Sequence, residues 1–506
     1  MKRRKCFSNL SYMGALLGAA MLTACGSGEG RTAGDESAFV PETVAVYEAE
    51  DGSFSGNAGV GSSRGGYSGS GYATGLEADG DSISITVNSP EEGFYDLVFF
   101  CASSDHKENF VTVDGLGYNN LVSESSTFTE CPIERVYLKE GAHEVIVSKS
   151  WGYMDIDRLE LRTCDADMGG IFRPVVKPVN PNASDNVRRL MSYLADIYGK
   201  QTLSGQFCDT GWHGKEFTVV NKVTGKNPAV LGLDFIEYSP SRVANGSTSR
   251  ATDFAIDFWK NGGIVNFCWH WNAPEKYLKD PWYSGFYTQY TTINLKKIMN
   301  GEDEEGYELL MEDIDAIAQQ LLILQENDVP VIWRPLHEAS GGWFWWGASG
   351  PEAYKQLYIL LYDKLTNEYG LNNLIWLWNG QSAAWYPGDQ YVDIIGWDIY
   401  PGEHEYGSQI GTFLKSVECA ENETKMVVLS ENGCVPDPEL MLRDGAMWGY
   451  WCTWGGEFVA GNTAVYVYSD QYTESEALAK FYENDIVITL DELPDLKTYP
   501  IREDAK

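Results

Sequence analysis

Beyond residue 185, short runs of nearly unbroken apolar residues recur at 229–235, 264–269, 329–336, 374–378, 392–397, 426–429 and 448–451, with a weaker one at 202–207. A strand without polar alternation is buried on both faces, the condition of a parallel sheet covered by helices. Helices are legible between several of these runs. Ser184 or Asp185 can cap one that carries Val187, Leu190, Met191, Leu194 and Ile197 on one face; a second spans 308–326; a third spans 351–369, with Pro351 in its first turn and Gly370 at its stop. Eight buried strands with helices over roughly 315 residues predict a (β/α)8 TIM barrel enlarged by loops. A doubly wound open sheet is the alternative, but it normally carries a glycine-rich nucleotide loop, and none is found in the sequence.

The preceding 120 or so residues have a different period. Ser82-Ile83-Ser84-Ile85-Thr86-Val87, Phe110-Val111-Thr112-Val113 and His143-Glu144-Val145-Ile146-Val147 alternate apolar with polar and are separated by turn residues. That pattern predicts a jelly-roll-like β-sandwich. The run Phe172-Arg173-Pro174-Val175-Val176-Lys177-Pro178-Val179-Asn180-Pro181 then reads as a semi-rigid connector. The expected organisation is multidomain: an export signal at 1–24, a tether at 25–44, the sandwich at 45–163, a Pro-rich linker at 164–184 and the barrel at 185–500.

Met1-Lys2-Arg3-Arg4-Lys5 is basic and is followed by an apolar stretch ending in Leu22-Thr23-Ala24-Cys25-Gly26. The stretch is too short to remain as a spanning helix and has the layout of an export signal. Its last residues resemble a bacterial lipoprotein cleavage box, which makes Cys25 the expected lipidation site and a periplasmic or cell-surface lipoprotein the expected product. Seventy-three acidic against 37 basic residues give a formal net charge of −36. Such a chain repels nucleic acid and anionic membrane, so the only expected membrane attachment is the lipid. The cysteines beyond Cys25 are scattered without C-x-x-C spacing, which indicates neither a zinc site nor a dense disulfide scaffold.

In a TIM barrel, reactive groups stand where strands end at the carboxyl face. Two apolar runs end in glutamate: Val331-Ile332-Trp333-Arg334-Pro335-Leu336-His337-Glu338 and Met426-Val427-Val428-Leu429-Ser430-Glu431. Counted as the fourth and seventh strands, they place Glu338 and Glu431 on opposite sides of the mouth. Glycoside hydrolysis requires such a pair, one acid to protonate the leaving oxygen and one carboxylate on the other face of the sugar. Sixteen of 17 tryptophans lie beyond Lys200, in keeping with sugar stacking, although bulky core accounts for more than half of them. Simple alternation would put Arg334, Leu336 and Glu338 on one side of the strand and His337 on the other, so both His337 and Glu338 reach the cleft only if the strand twists out. His337-Glu338 is no metalloprotease signature, because no second histidine follows at helical spacing.

Taken together, Arg334-Pro335-Leu336-His337-Glu338, Gly341-Gly342-Trp343-Phe344-Trp345-Trp346-Gly347 and Ser430-Glu431-Asn432-Gly433 resemble glycoside hydrolase family 26, as do Ser204-Gly205-Gln206, Trp269-His270-Trp271-Asn272-Ala273-Pro274 and Gly396-Trp397-Asp398-Ile399-Tyr400. The resemblance implies a retaining endo-β-1,4-mannanase acting on mannan or galactomannan, with no cofactor for catalysis. It implies Glu338 as acid/base, Glu431 as nucleophile, His270, His337, Tyr400 and Arg334 around substrate and carboxylates, and Trp343 as a sugar platform. For His270 a structural role is the rival; for Trp345 and Trp346 core packing is the better reading. Relatives acting on mixed-linkage glucan or β-1,3-xylan, and a glycan-binding barrel without catalysis, remain the alternatives.

The sandwich resembles carbohydrate-binding modules of families 35 and 6 through Tyr47-Glu48-Ala49-Glu50 and Trp151-Gly152-Tyr153-Met154-Asp155-Ile156-Asp157. The resemblance implies a structural Ca²⁺ held by Glu48, Glu50 and Asp157, and Trp151 as either a sugar platform or a buried tryptophan. Carboxylate oxygens suit so hard an ion.

Overall fold

The computed structural model describes residues 39–502 apart from 105–106, 123, 150–153, 166–167 and 462–464, with backbone alone at 107–109 and 119–121. Cys25 and Trp151 therefore lie outside the described residues.

Among the described residues eleven strands build the sandwich: β1 (Thr43–Glu48), β2 (Ser53–Ser55), β3 (Gly59–Gly61), β4 (Tyr72–Thr74), β5 (Ser82–Ser89), β6 (Gly93–Ser103), β7 (Lys107–Val113), β8 (Leu116–Val122), β9 (Ser125–Leu138), β10 (Gly141–Lys149) and β11 (Asp155–Thr163). One sheet runs β3-β4-β11-β6-β9 with β1 also on β11, and the other runs β2-β5-β10-β7-β8. Pairing is antiparallel throughout, as hairpin-linked strands allow. The alternation read from the sequence sorts the faces: Ile83, Ile85, Val87, Val111, Val113, Val145 and Val147 face inward against Leu97, Phe99, Leu159 and Leu161 of the other sheet.

The remainder is a TIM barrel. After β12 (Thr202–Leu203), the strands β13 (Gly205–Phe207), β14 (Val230–Asp234), β15 (Ile264–Trp269), β16 (Val331–Pro335), β17 (Leu374–Trp378), β18 (Ile394–Ile399), β19 (Met426–Asn432) and β20 (Trp451–Thr453) close into a ring. All neighbours in the ring are parallel. The weak first run divides. Thr202 and Leu203 pair with β21 (Val487–Ile488) outside the ring, and the chain enters the barrel at Gly205, where a Cβ would lie 2.3 Å from the Trp451 carbonyl oxygen. Pairing of the last strand reaches Thr453, past the apolar run, because Thr453 matches Asn432 on one side and Gln206 on the other.

The helices are α1 (Asp185–Ile197), α2 (Lys215–Thr224), α3 (Pro240–Ala244), α4 (Ala251–Lys260), α5 (Leu295–Met299), α6 (Glu304–Glu326), α7 (Pro351–Tyr362), α8 (Ile410–Val417), α9 (Pro438–Asp444) and α10 (Ser475–Tyr482). Ser184 caps α1 by accepting from the Val187 amide. Helix α6 begins four residues before the apolar pattern suggests, because the Asp303 side chain caps it at the Gly306 amide. Helix α7 stops at Tyr362 and its last stretch, Asp363–Glu368, widens into a π-helix. The Pro-rich segment is fastened to the barrel: the Val175 amide donates to the Thr424 carbonyl at 2.9 Å, and the Val179 amide to Asp393 at 2.7 Å.

Candidate active site

The site grows from the carboxyl ends of β16, β17, β18 and β19. Arg334, wholly buried on β16, donates through Nη1 to Asp398 Oδ2 at 2.7 Å and through Nη2 to Glu431 Oε1. Asp398 also accepts from Asn379 Nδ2 and Ser430 Oγ, each at 2.7 Å. A register shift between Trp397 and Asp398 sets Asp398 directly opposite Glu431 across the β18–β19 pairing. The Tyr400 hydroxyl donates to Glu431 Oε2 at 2.5 Å.

Glu338 arrives by a backbone device. β16 ends at Pro335, and Leu336 (φ +55°) and Glu338 (φ +53°) both adopt the left-handed region that side chains disfavour. The pleat is thereby broken, so His337 and Glu338 no longer alternate between faces. The Glu338 amide is fixed by the Asn379 carbonyl at 2.8 Å, and the His337 carbonyl accepts from Trp346 Nε1 at 2.8 Å. Trp343 Nε1 donates to Glu338 Oε2 at 2.8 Å.

One carboxylate oxygen from each of Glu338, Asp398 and Glu431 lies within 4.8 Å of the other two. An inverting pair stands about 6.5–9.5 Å apart to admit a water, whereas a pair about 5–5.5 Å apart suits direct attack. The close approach of these oxygens is compatible with the second kind. The two glutamates differ in environment. Burial raises the Glu338 carboxyl well above its ordinary range, and the neighbouring Asp398 and Glu431 charges raise it further. Burial also lifts Glu431, to about 7, but Arg334 and the Tyr400 hydrogen bond pull the other way. The first proton therefore leaves Glu431, and Glu338 stays neutral.

A second chain of contacts crosses the floor. His270, beyond the end of β15, bonds Asp234 through Nδ1 at 2.7 Å and meets His337 Nε2 through its own Nε2 at 3.2 Å. Burial holds His337 well below the usual histidine range, with Arg334 and His270 adding to the effect, so it is neutral. Trp343 is 46% exposed, while Trp345 and Trp346 are 1% and 0% exposed and pack as core. Direct contacts thus join Glu431 with Arg334 and Tyr400, Glu338 with Trp343, and His337 with His270, and the close carboxylates bring the first two groups together. Asp398, Asn379 and Asp234 are the members that sequence reasoning left unassigned. Each is a polar residue at or just past the end of an apolar strand, which was the available signal.

Residues 179–492 match Glycosyl hydrolase family 26, and residues 45–164 match Carbohydrate binding module (family 35). The chain belongs to glycosyl hydrolase family 26. A mannan endo-1,4-beta-mannosidase of Thermothelomyces thermophilus is 38% identical over 487 residues, 95% of this chain and 97% of that protein. Mannan endo-1,4-beta-mannosidase B of Piromyces sp. is 36% identical over 90% of this chain and 79% of its own length. The crystal structure of a Podospora anserina GH26-CBM35 beta-(1,4)-mannanase superposes with a TM-score of 0.61 at 35% identity, covering 90% of this chain and 99% of that one. As a family 26 glycosidase with an N-terminal family 35 module, the chain places its carboxylates where that fold keeps its chemistry.

Of the sandwich residues proposed for metal, Glu48, Glu50 and Asp157 gather about the turn at 68–71. Ser68 Oγ donates to Glu48 at 2.6 Å, the Ser68 amide donates to Asp157 at 2.6 Å, and the Gly71 amide donates to Glu50 Oε1 at 3.1 Å. Arg158 also pairs with Asp157, at 2.6 Å.

Asp398 supplies negative charge to both glutamates, which yields a signed prediction. Asp398→Asn should lower both carboxyl pKa values and move both limbs of the kcat/KM–pH profile to lower pH, by about one unit on the alkaline side. An unmoved alkaline limb would show that Asp398 does not set the Glu338 proton.

Proposed function

We propose that this family 26 glycosidase is a retaining endo-β-1,4-mannanase, with Glu431 as nucleophile and Glu338 as acid/base. The observation that carries the reading is one close pair of carboxylates in unequal settings. Glu431 is paired to a guanidinium and a phenol, while Glu338 is half-buried and keeps its proton beside an exposed tryptophan. The mannanases named above, similar over nine-tenths of the chain, support mannan-type polysaccharide as the substrate.

The mechanism follows from the placement. A mannosyl unit stacks against the Trp343 face. Glu431 attacks its anomeric carbon while Glu338 gives its proton to the departing glycosidic oxygen, leaving a glycosyl ester on Glu431. Glu338, now a carboxylate, takes a proton from water, which attacks the same carbon and releases a sugar of retained configuration with Glu431 free. The Trp343 N–H steadies the Glu338 carboxylate between the two steps.

Glu431→Ala should abolish hydrolysis of mannan and aryl mannosides alike. Glu338→Ala should spare glycosylation by aryl substrates with good leaving groups and slow deglycosylation, seen as a burst followed by a slow steady state. Inverted anomeric products by NMR, or equal defects in both variants on every substrate, would reject the assignment.

We further propose a structural Ca²⁺ in the family 35 module. Glu48, Glu50 and Asp157 form an all-oxygen set, Glu50 Oε2 is buried without a hydrogen-bond partner, and a Cβ on Gly69 would fall 2.2 Å from Glu50 Oε1 and 3.2 Å from the Glu48 carboxyl. Chelator should lower the melting temperature of the wild type and leave Asp157→Ala unaffected; a wild type indifferent to chelator rejects the site.

We also propose lipidation at Cys25, on the strength of the basic start, the apolar run and Leu22-Thr23-Ala24-Cys25. The product would be a periplasmic or cell-surface lipoprotein. Cys25→Ala should leave the membrane fraction or remain unprocessed, and unchanged fractionation argues against the anchor.

A further inference from the structure

We propose that the β-sandwich is a positioning element of the barrel: strand β8 and Arg135 hold the loop at 401–409, and through it Tyr400, against the nucleophile Glu431. The role is independent of any sugar the module binds.

Tyr400 is the first residue after β18, and its hydroxyl on Glu431 Oε2 is among the contacts that favour the carboxylate form. The chain then runs through 401–409 into α8. On the barrel side this loop is tied by Cys434 Sγ to the Gly402 carbonyl at 3.2 Å and by the His404 amide to the Tyr472 carbonyl at 2.9 Å. Its other wall is the module. The Gly117 amide on β8 donates to the Glu405 carboxylate, whose burial raises its pKa. A Cβ at Gly117 would stand 2.7 Å from Glu405 Oε2 and 2.7 Å from the Phe110 ring, so strand and loop are in closest approach there.

The adjoining contacts belong to a fixed seat rather than a passing touch. Tyr118 packs against both the sandwich core and the barrel core. Arg135 is 6% exposed with φ +58°, stacks 4.2 Å from the Phe94 ring centroid and donates Nε to the Asp444 carbonyl at the end of α9 at 2.9 Å. A buried guanidinium directed at the neighbouring domain's backbone is costly to leave unmet, so it holds the two domains in one arrangement. Asp444 in turn accepts from Ser408 Oγ at 2.5 Å, which links Arg135 to the same loop. From Pro41 onward, sandwich and barrel form one compact unit.

The test uses the full chain with Glu405→Ala, Gly117→Val and Glu405→Gln, on a soluble manno-oligosaccharide that needs no capture by the module. Glu405→Ala and Gly117→Val should lower kcat roughly ten-fold with KM nearly unchanged, as a small misplacement near the chemistry does. The acidic limb of the kcat profile should move to higher pH, because a loosened Tyr400 no longer lowers Glu431. Amide hydrogen exchange at 400–409 should quicken in both. Glu405→Gln, whose amide oxygen still accepts from Gly117, should match the wild type in all three. Unchanged kcat and acidic limb in the first two variants overturns the proposal, as does a loss that Glu405→Gln shares. The proposal rests on the mannanase reading. A wild type inert on the oligosaccharide sinks that reading, and the exchange comparison alone then decides the brace.

Discussion

Arg334 places a permanent positive charge at the floor of a cleft that gathers three carboxylates within 4.8 Å. Without it, Glu431 would face the Asp398 carboxylate in a buried setting with no guanidinium to offset burial, and its carboxyl would be raised further. With it, Glu431 is held lower than Glu338, whose carboxyl stays well above its ordinary range. At Glu338 burial and the neighbouring carboxylates outweigh the Trp343 N–H and Arg334, so Glu338 keeps its proton, the one the proposed mechanism gives to the leaving group. The planar fork of arginine matters, since Nη1 and Nη2 reach different carboxylates at once. A lysine would supply one point charge and leave one acid unmet. Removing one partner from a buried pair of this kind costs about 3–5 kcal/mol.

The backbone supports the same arrangement. Left-handed conformations at Leu336 and Glu338 cost about 1–3 kcal/mol each and persist only where surroundings over-determine them. Here Leu336 is 1% exposed in the core, Asn379 takes the Glu338 amide and Trp346 takes the His337 carbonyl. The strain permits three successive residues to serve different masters: Leu336 packs, His337 meets His270, and Glu338 enters the cleft. A regular strand would have turned one of them away.

Most of the barrel was legible because a parallel strand buried on both faces is nearly apolar along its length, as Leu374–Trp378 is throughout and Ile264–Trp269 is apart from the buried Asn266. The first run was less legible, since residues 202–207 serve two sheets and only the close approach at Gly205 divides them. Glu338 and Glu431 stood out as charges ending apolar runs. Asp398 did not, although Gly396-Trp397-Asp398 was in view, because its place opposite Glu431 depends on a one-residue shift between β18 and β19. Such a shift is decided by packing of both strands together, and no local pattern records it. The seating of the sandwich was hidden for a similar reason: Gly117, Tyr118 and Arg135 read as ordinary strand residues until the surface they meet is known.

The tryptophans show how one residue type answers two requirements. The sequence left their abundance open between core and platform, and the structure divides them by whether the ring face is covered. Trp345 donates to the Trp271 carbonyl at 2.7 Å, Trp271 donates to Asp313 on α6 at 2.6 Å, and Trp346 donates to the His337 carbonyl. These buried rings pay the requirement that an indole N–H be paired by tying loop to strand and strand to helix. Asp313 takes part as a buried carboxyl whose pKa burial raises to about 8, so it is mostly neutral at pH 7 and joins the core without an uncompensated charge. Trp343 differs only in having its face open. Its N–H is committed to Glu338, which fixes the ring relative to that carboxyl, and its exposed face is the one on which the proposed mechanism seats the sugar. In that mechanism one hydrogen bond positions both the platform and the proton donor.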